Sequence, residues 1–156
     1  MKAATVKALK TELEDLSQPE LIALCLRLSK FKKENKELLT YLLFEASDEG
    51  EFIAQVQTEI RQEFEAINTK SYFYIKKSVR KILRRIKTYC RYSGKKETEV
   101  ELLLFFCSEL KDMKPDYKRD TSLRNIYNRQ LESIKKHITT LHEDLQYDFN
   151  LELENL

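Results

Sequence analysis

Apolar residues recur at steps of three and four along almost the whole chain, the spacing of amphipathic helices. Val6, Leu9, Leu13 and Leu16 predict a short first helix ending before Ser17. Ser17 is a candidate N-cap, with Glu20 three residues on as in a capping box and Leu16 and Leu21 at the hydrophobic-staple positions. A tight turn between the first two helices follows. Leu21, Leu24, Cys25, Leu28 and Phe31 continue one stripe, then a polar patch from Lys32 to Glu37 precedes a second apolar group, Leu38 to Phe44. Residues 18–46 therefore read as one long helix or as two with a break near Asn35. Asp48 and Glu51 repeat the capping logic ahead of a face made by Phe52, Val56, Ile60, Phe64 and Ile67.

The next helix is expected from about Ser71 to Tyr92, with Gly94 as its left-handed stop. Val100, Leu103, Leu104, Cys107 and Leu110 belong to a segment apolar on nearly all sides, read as the buried central helix; it should end by Lys114, because Pro115 disfavours helix in the residue before it. Leu123, Ile126, Tyr127, Leu131, Ile134, Ile138, Leu141 and Leu145 keep one seam. They predict a last helix of some 25 residues, about 38 Å long, acting as a brace. The tail, Leu151 to Leu156, is expected to fray.

Two Gly and two Pro in 156 residues leave few places to break a helix, so long helices with short joints follow. The predicted fold class is all-α: a single-domain bundle or irregular array of about six helices over residues 1–150, with 151–156 as a tail. At this length roughly 68–70% of the unfolded surface can be buried, without metal or disulfide. Nothing resembles GxGxxG or a Walker motif, which disfavours the nucleotide-binding superfamilies. Cys25, Cys90 and Cys107 are odd in number, lack CxxC spacing and sit on apolar helical faces, so they are expected to be buried, inert thiols in a reducing compartment. Lys2, Lys7 and Lys10 interrupt any signal-peptide core, and no run is long enough to span a bilayer. A cytoplasmic protein is expected.

Charge changes the picture. Between Ala66 and Lys96 stand eleven Lys or Arg and no Asp or Glu, whereas the remaining residues carry 17 basic and 26 acidic side chains. Placed on a helical wheel, Ile75, Val79, Ile82, Leu83, Ile86 and Cys90 fall within an arc of about 100°, and Lys76, Lys77, Arg80, Lys81, Arg84, Arg85, Lys87 and Arg91 fill the arc opposite. Such a helix repels itself, because no Glu to Lys pair at i,i+4 exists within it.

Several readings of that face compete. Acidic faces of the same chain, Glu59, Glu63 and Glu65 or Glu97, Glu99 and Glu101, could supply the counter-charge. Alternatively it binds a protein partner with an acidic face or another copy of the chain, a salt-sensitive contact. As a third option it binds nucleic acid, with Phe73, Tyr74 and Tyr92 projecting to the same side to stack on bases, although a pI of 8.3 is below that of a dedicated nucleic-acid domain. A membrane surface is disfavoured, since the apolar stripe is better used in a core.

Catalysis finds little support. His137 and His142 are five residues apart, off the i,i+3 or i,i+4 spacing that chelates a metal on one face, and neither follows a Glu by three. No cofactor or metal site is predicted, and the chain is expected to be a non-catalytic interaction module rather than an enzyme.

The phrase from Leu9 to Ile22, with its Leu-Ser-Gln-Pro-Glu-Leu-Ile ending, and the Lys-rich bend at Lys33 to Glu37 resemble an uncharacterised bacterial all-helical family whose members open on Leu-x-x-Leu-Ser-x-x-Glu-Leu-Ile. The resemblance implies a small helical domain of unknown function and carries over no functional residues.

Overall fold

A computed structural model describes all 156 residues, and every regular element in it is helical. Backbone contacts divide the chain into two compact units, Met1–Phe44 and Glu45–Leu156.

The first unit holds α1 (Val6–Glu14), α2 (Gln18–Phe31) and α3 (Lys33–Thr40), followed by a π-helical turn at Tyr41–Glu45. The Thr5 hydroxyl caps α1 through the Ala8 N–H at 3.2 Å. At Ser17 both the backbone N–H (2.8 Å) and the hydroxyl (2.7 Å) donate to the Glu20 carboxylate, which anchors the start of α2. The segment is two helices, and the break lies at Lys32, whose backbone is extended (φ −142°, ψ 150°), three residues before Asn35. Asn35 closes the kink from the other side, its amide donating to the Leu28 carbonyl at 2.9 Å. No residue of α1, α2 or α3 is buried.

The second unit holds α4 (Glu49–Glu65), α5 (Tyr72–Ser93), α6 (Lys96–Asp112), a 3-10 turn at Tyr117–Arg119, α7 (Thr121–Ile138) and α8 (Glu143–Glu154). The molecule thus has eight α-helices where about six were expected. Helix α6 is the centre: it packs against α4, α5, α7 and α8, and Leu102, Leu103, Leu104, Phe106, Cys107 and Leu110 are buried along it. Three consecutive buried leucines mean that α6 is covered on most of its circumference, as its all-round apolar composition requires. Each such side chain contributes roughly 1.5–3 kcal/mol on burial.

Glu49 ties the corner between α5 and α6 to the start of α4. Its carboxylate accepts from the hydroxyls of Ser93 (2.5 Å) and buried Thr98 (2.6 Å) and pairs with Lys95 at 3.0 Å.

The single brace helix expected after Thr121 is instead two, and the tail expected to fray is helical to Glu154. Two adjacent threonines stop α7: Thr139 and Thr140 turn their hydroxyls onto the carbonyls of Lys136 and His137, each at 2.7 Å. These short-range bonds compete with continuation of the helix. The His142 imidazole then accepts from the Asp144 N–H at 3.4 Å as α8 begins. Phe149 is buried, and Lys111 donates to the Asn155 carbonyl at 2.9 Å, so the end of the chain is held to α6.

Cys90 and Cys107 are buried, and burial pushes each thiol up to about 12, with the charge of Glu99 adding to the effect at Cys90. Cys25, expected inside, is exposed because α2 buries nothing. No helix is long and apolar enough to cross a membrane.

Candidate interaction surface

Helix α5 is laid down by its apolar stripe: Ile75, Val79, Ile82, Ile86 and Cys90 are all buried, against α4 and α6. Ending the helix falls to Gly94, whose φ of 69° is the left-handed conformation a glycine adopts without strain; its N–H donates to the Cys90 carbonyl at 2.8 Å. This commits the opposite face, with its eight cations, outward.

Two of the eight are neutralised by the chain itself. Arg85 is half-buried, donates to Glu63 at 2.6 Å, contacts Glu59 through its other terminal nitrogen, and donates from Nε to the Tyr89 hydroxyl at 3.1 Å. That hydroxyl donates in turn to Glu59 at 2.7 Å. Partial burial disfavours the Arg85 charge, but the Tyr89 hydroxyl and the two carboxylates outweigh it and hold its pKa above the ordinary guanidinium value. Tyr89 is pushed up to about 12, mainly by burial and further by Glu59. Lys76, half-buried, sits 3.3 Å from Asp120, the residue whose other oxygen caps α7 through the Leu123 N–H at 3.0 Å. Slight burial pulls the Asp120 carboxyl toward protonation, yet the Leu123 N–H and Lys76 prevail and lower its pKa.

The other six are exposed. Arg80 donates to the Ser122 hydroxyl at 2.7 Å, and Arg91 reaches only Thr88 of its own helix, at 3.5 Å. Neither meets a carboxylate. Lys77, Lys81, Arg84 and Lys87 likewise make no ion pair. Arg80, Arg84, Lys87 and Arg91 wall a shallow groove of about 450 Å³ over Leu83 and Thr88.

The aromatic residues divide. Phe73 and Tyr74 are exposed and lie edge to face, ring centroids 5.5 Å apart, at the N-terminal end of the cationic row. Tyr92, expected to share their side, is buried. The covered side of α5 widens over its last turn, where Tyr89 meets Phe52 edge-on at 6.1 Å, Tyr92 meets Tyr89 at 6.1 Å, and Ser93 reaches Glu49. Tyr92 therefore leaves the candidate surface. Tyr89 and Leu83 were not singled out as parts of it. The spacing Glu59-x-x-x-Glu63 against Arg85-x-x-x-Tyr89, two one-turn pairs on neighbouring helices, is the signal that could have found the neutralised patch.

Elsewhere, His137 lies 3.6 Å from Glu99 and is half-buried, and no group of three or more His, Cys, Asp or Glu side chains is arranged to hold a metal.

No protein-family model, curated protein or solved structure matches this chain.

Proposed function

We propose that this protein is a non-catalytic interaction module that docks an acidic protein surface on the outer face of α5. One observation carries the reading: Lys77, Arg80, Lys81, Arg84, Lys87 and Arg91 stay exposed without any carboxylate partner, although Glu59, Glu63 and Asp120 do pair with Arg85 and Lys76 on the same helix. Six like charges on one helix face are self-repelling, so an external anion is the natural source of compensation. The groove over Leu83 favours a protein, because it offers an apolar side chain a seat inside the cationic wall. Phe73 and Tyr74 favour a second reading, single-stranded nucleic acid tracked by the cations with a base stacked on the exposed rings.

Poly-L-glutamate and a fluorescent single-stranded oligonucleotide, each titrated at about 50 and 200 mM salt, separate the two, since six phosphate contacts on a single strand imply a loss of roughly 300-fold over that range. Stronger binding of polyglutamate supports the protein reading; stronger binding of the oligonucleotide, reduced by Phe73→Ala, supports the second. If neither binds tighter than roughly 100 µM at the lower salt, both readings fall. The triple variant Lys81→Glu, Arg84→Glu, Lys87→Glu should abolish whichever binding is seen.

A further inference from the structure

Helix α8 carries the counter-charge that the face of α5 lacks. From Glu143 to Leu156 stand five acidic residues and no basic one, while α5 holds cations and no acidic residue, so no register of one helix against the other sets like charges face to face. Apart from the exposed His142, 3.6 Å from Asp144, no cationic side chain pairs with any of the five. The chain's other acidic runs are drawn on locally: Glu14 by Lys10, Glu20 by the cap at Ser17, Asp48 by the Glu51 N–H and Glu49 by Lys95.

The outer faces also match in spacing. Asp144, Asp148, Leu151 and Asn155 are all exposed and follow steps of four, three and four; Arg91, Lys87, Arg84 and Arg80, also exposed, follow the same steps in the reverse direction. Each row is about 17 Å long. Laid antiparallel, they bring Asp144 across from Arg91, Asp148 across from Lys87, Leu151 across from Arg84 and Asn155 across from Arg80. Leu151, 45% exposed, then falls beside Leu83 in the shallow groove on α5. Tyr147, 67% exposed, falls between the levels of Lys87 and Arg91, where a cation over its ring is favourable. Only four large apolar residues of the second unit are exposed, and two of them lie on this one acidic face. Since α5 packs against α4 and α6, and α8 against α6 and α7, the two faces are separate surfaces of the unit. A contact between them joins different copies, and because the surfaces are unlike, the copies join head to tail.

We infer that the occupant of the α5 groove is helix α8 of a second copy of this chain, with Leu151 seated against Leu83 and with Asp144 and Asp148 paired to Arg91 and Lys87. The inference rests on α5 being a docking face for an acidic protein surface and names what docks there.

Sedimentation equilibrium of the full chain at roughly 50 µM tests this, since association set by mass action shows at such concentrations. At about 50 mM salt the average mass should exceed the 18.6 kDa of one chain, and at about 1 M salt, where the Debye length is near 3 Å, it should return to that value. Leu151→Ala changes no charge and should weaken association about 10-fold. The double variants Lys87→Glu with Arg91→Glu, and Asp144→Lys with Asp148→Lys, should each run as monomers with unchanged helix content, because all four residues are exposed. An equimolar mixture of the two sets opposite charges across the contact again and should associate, which a folding defect in either would not permit. Lys30→Glu with Lys36→Glu makes the same change of net charge as the α5 variant, away from both faces, and should leave association intact. A monomeric wild type overturns the inference: if that monomer binds polyglutamate, the α5 reading stands without it, and if it does not, both fall. An association indifferent to Leu151→Ala, a mixture that stays monomeric, or equal loss in the Lys30 and Lys36 variant also overturns it.

Discussion

Arg85 and Arg84 are neighbours in sequence with opposite situations. Arg85 is the hub of a four-residue set, with Glu59, Glu63 and Tyr89 all within hydrogen-bonding reach, whereas Arg84 extends from the exposed face with no carboxylate near it. Removing Arg85 does more than delete a bond: it leaves Glu59 and Glu63, one helical turn apart on α4, facing each other without a counter-ion. Arg85 is still 40% exposed, so solvent screening reduces what its charge-assisted bonds are worth. Arg85→Ala should cost about 1–2 kcal/mol of unfolding free energy, against less than ~0.5 kcal/mol for Arg84→Ala, read by urea denaturation. Equal losses would mean that the two arginines share one environment. The identity of Arg85's acidic partners was within reach of the sequence, since Glu59 and Glu63 were among the candidates for neutralising the helix. Which cation they would take was not. That choice depends on the register of α4 against α5, and packing of non-neighbouring side chains sets it.

Between elements, Asp120 is the joint where α5 meets the start of α7, one oxygen on the Leu123 N–H and the other toward Lys76. Its pKa is lowered on folding, so the folded state binds fewer protons than the unfolded chain near pH 4. The stabilisation is complete above the unfolded value of about 3.9 and is lost as pH falls through the lower folded value. Asp120→Asn keeps an N-cap side chain but removes the titration. Denaturation followed from pH 6 to pH 2 should therefore show a shallower acid loss in the variant than in the wild type; parallel curves would mean that neither the Leu123 N–H nor Lys76 lowers the pKa of this carboxylate on folding. The capping pattern at Ser17, Asp48 and Gly94 was legible because capping is local, carried by residues three or four apart. The end of α7 was not, because the apolar seam runs on through Leu141 and Leu145 while two threonine hydroxyls redirect the backbone. Periodicity reports which face is apolar and is silent about where a chain of that period stops.

At the scale of the whole second unit, charge separates rather than cancels. Residues 45–156 contain 20 basic and 20 acidic side chains, yet α5 keeps its exposed cations unpaired, and the segment from Glu143 to Leu156 holds five acidic residues and no basic one. A neutral unit could have distributed its charges into mixed pairs; this one stays polarised, and polarisation costs stability. The wheel made the cationic face visible because amphipathicity is a property of one helix. It could not show Lys76 and Arg85 being withdrawn, or Tyr92 covered, since those outcomes need neighbours. In the remaining row, Lys77–Lys81, Arg80–Arg84 and Lys87–Arg91 are like-charge pairs one turn apart, each unfavourable by roughly 0.2–0.5 kcal/mol. The triple variant Lys81→Glu, Arg84→Glu, Lys87→Glu converts all three into attractive pairs. At low salt it should unfold about 1 kcal/mol later than the wild type, and the gap should close toward 0.5 M salt as the Debye length shrinks. Wild-type stability should accordingly rise with salt over the same range. A variant more stable than its parent that no longer binds its anionic probe is the signature of a face kept for contact at the expense of stability. If the same variant is destabilised by more than ~1 kcal/mol, these cations are held by the chain itself and the α5 surface is structural.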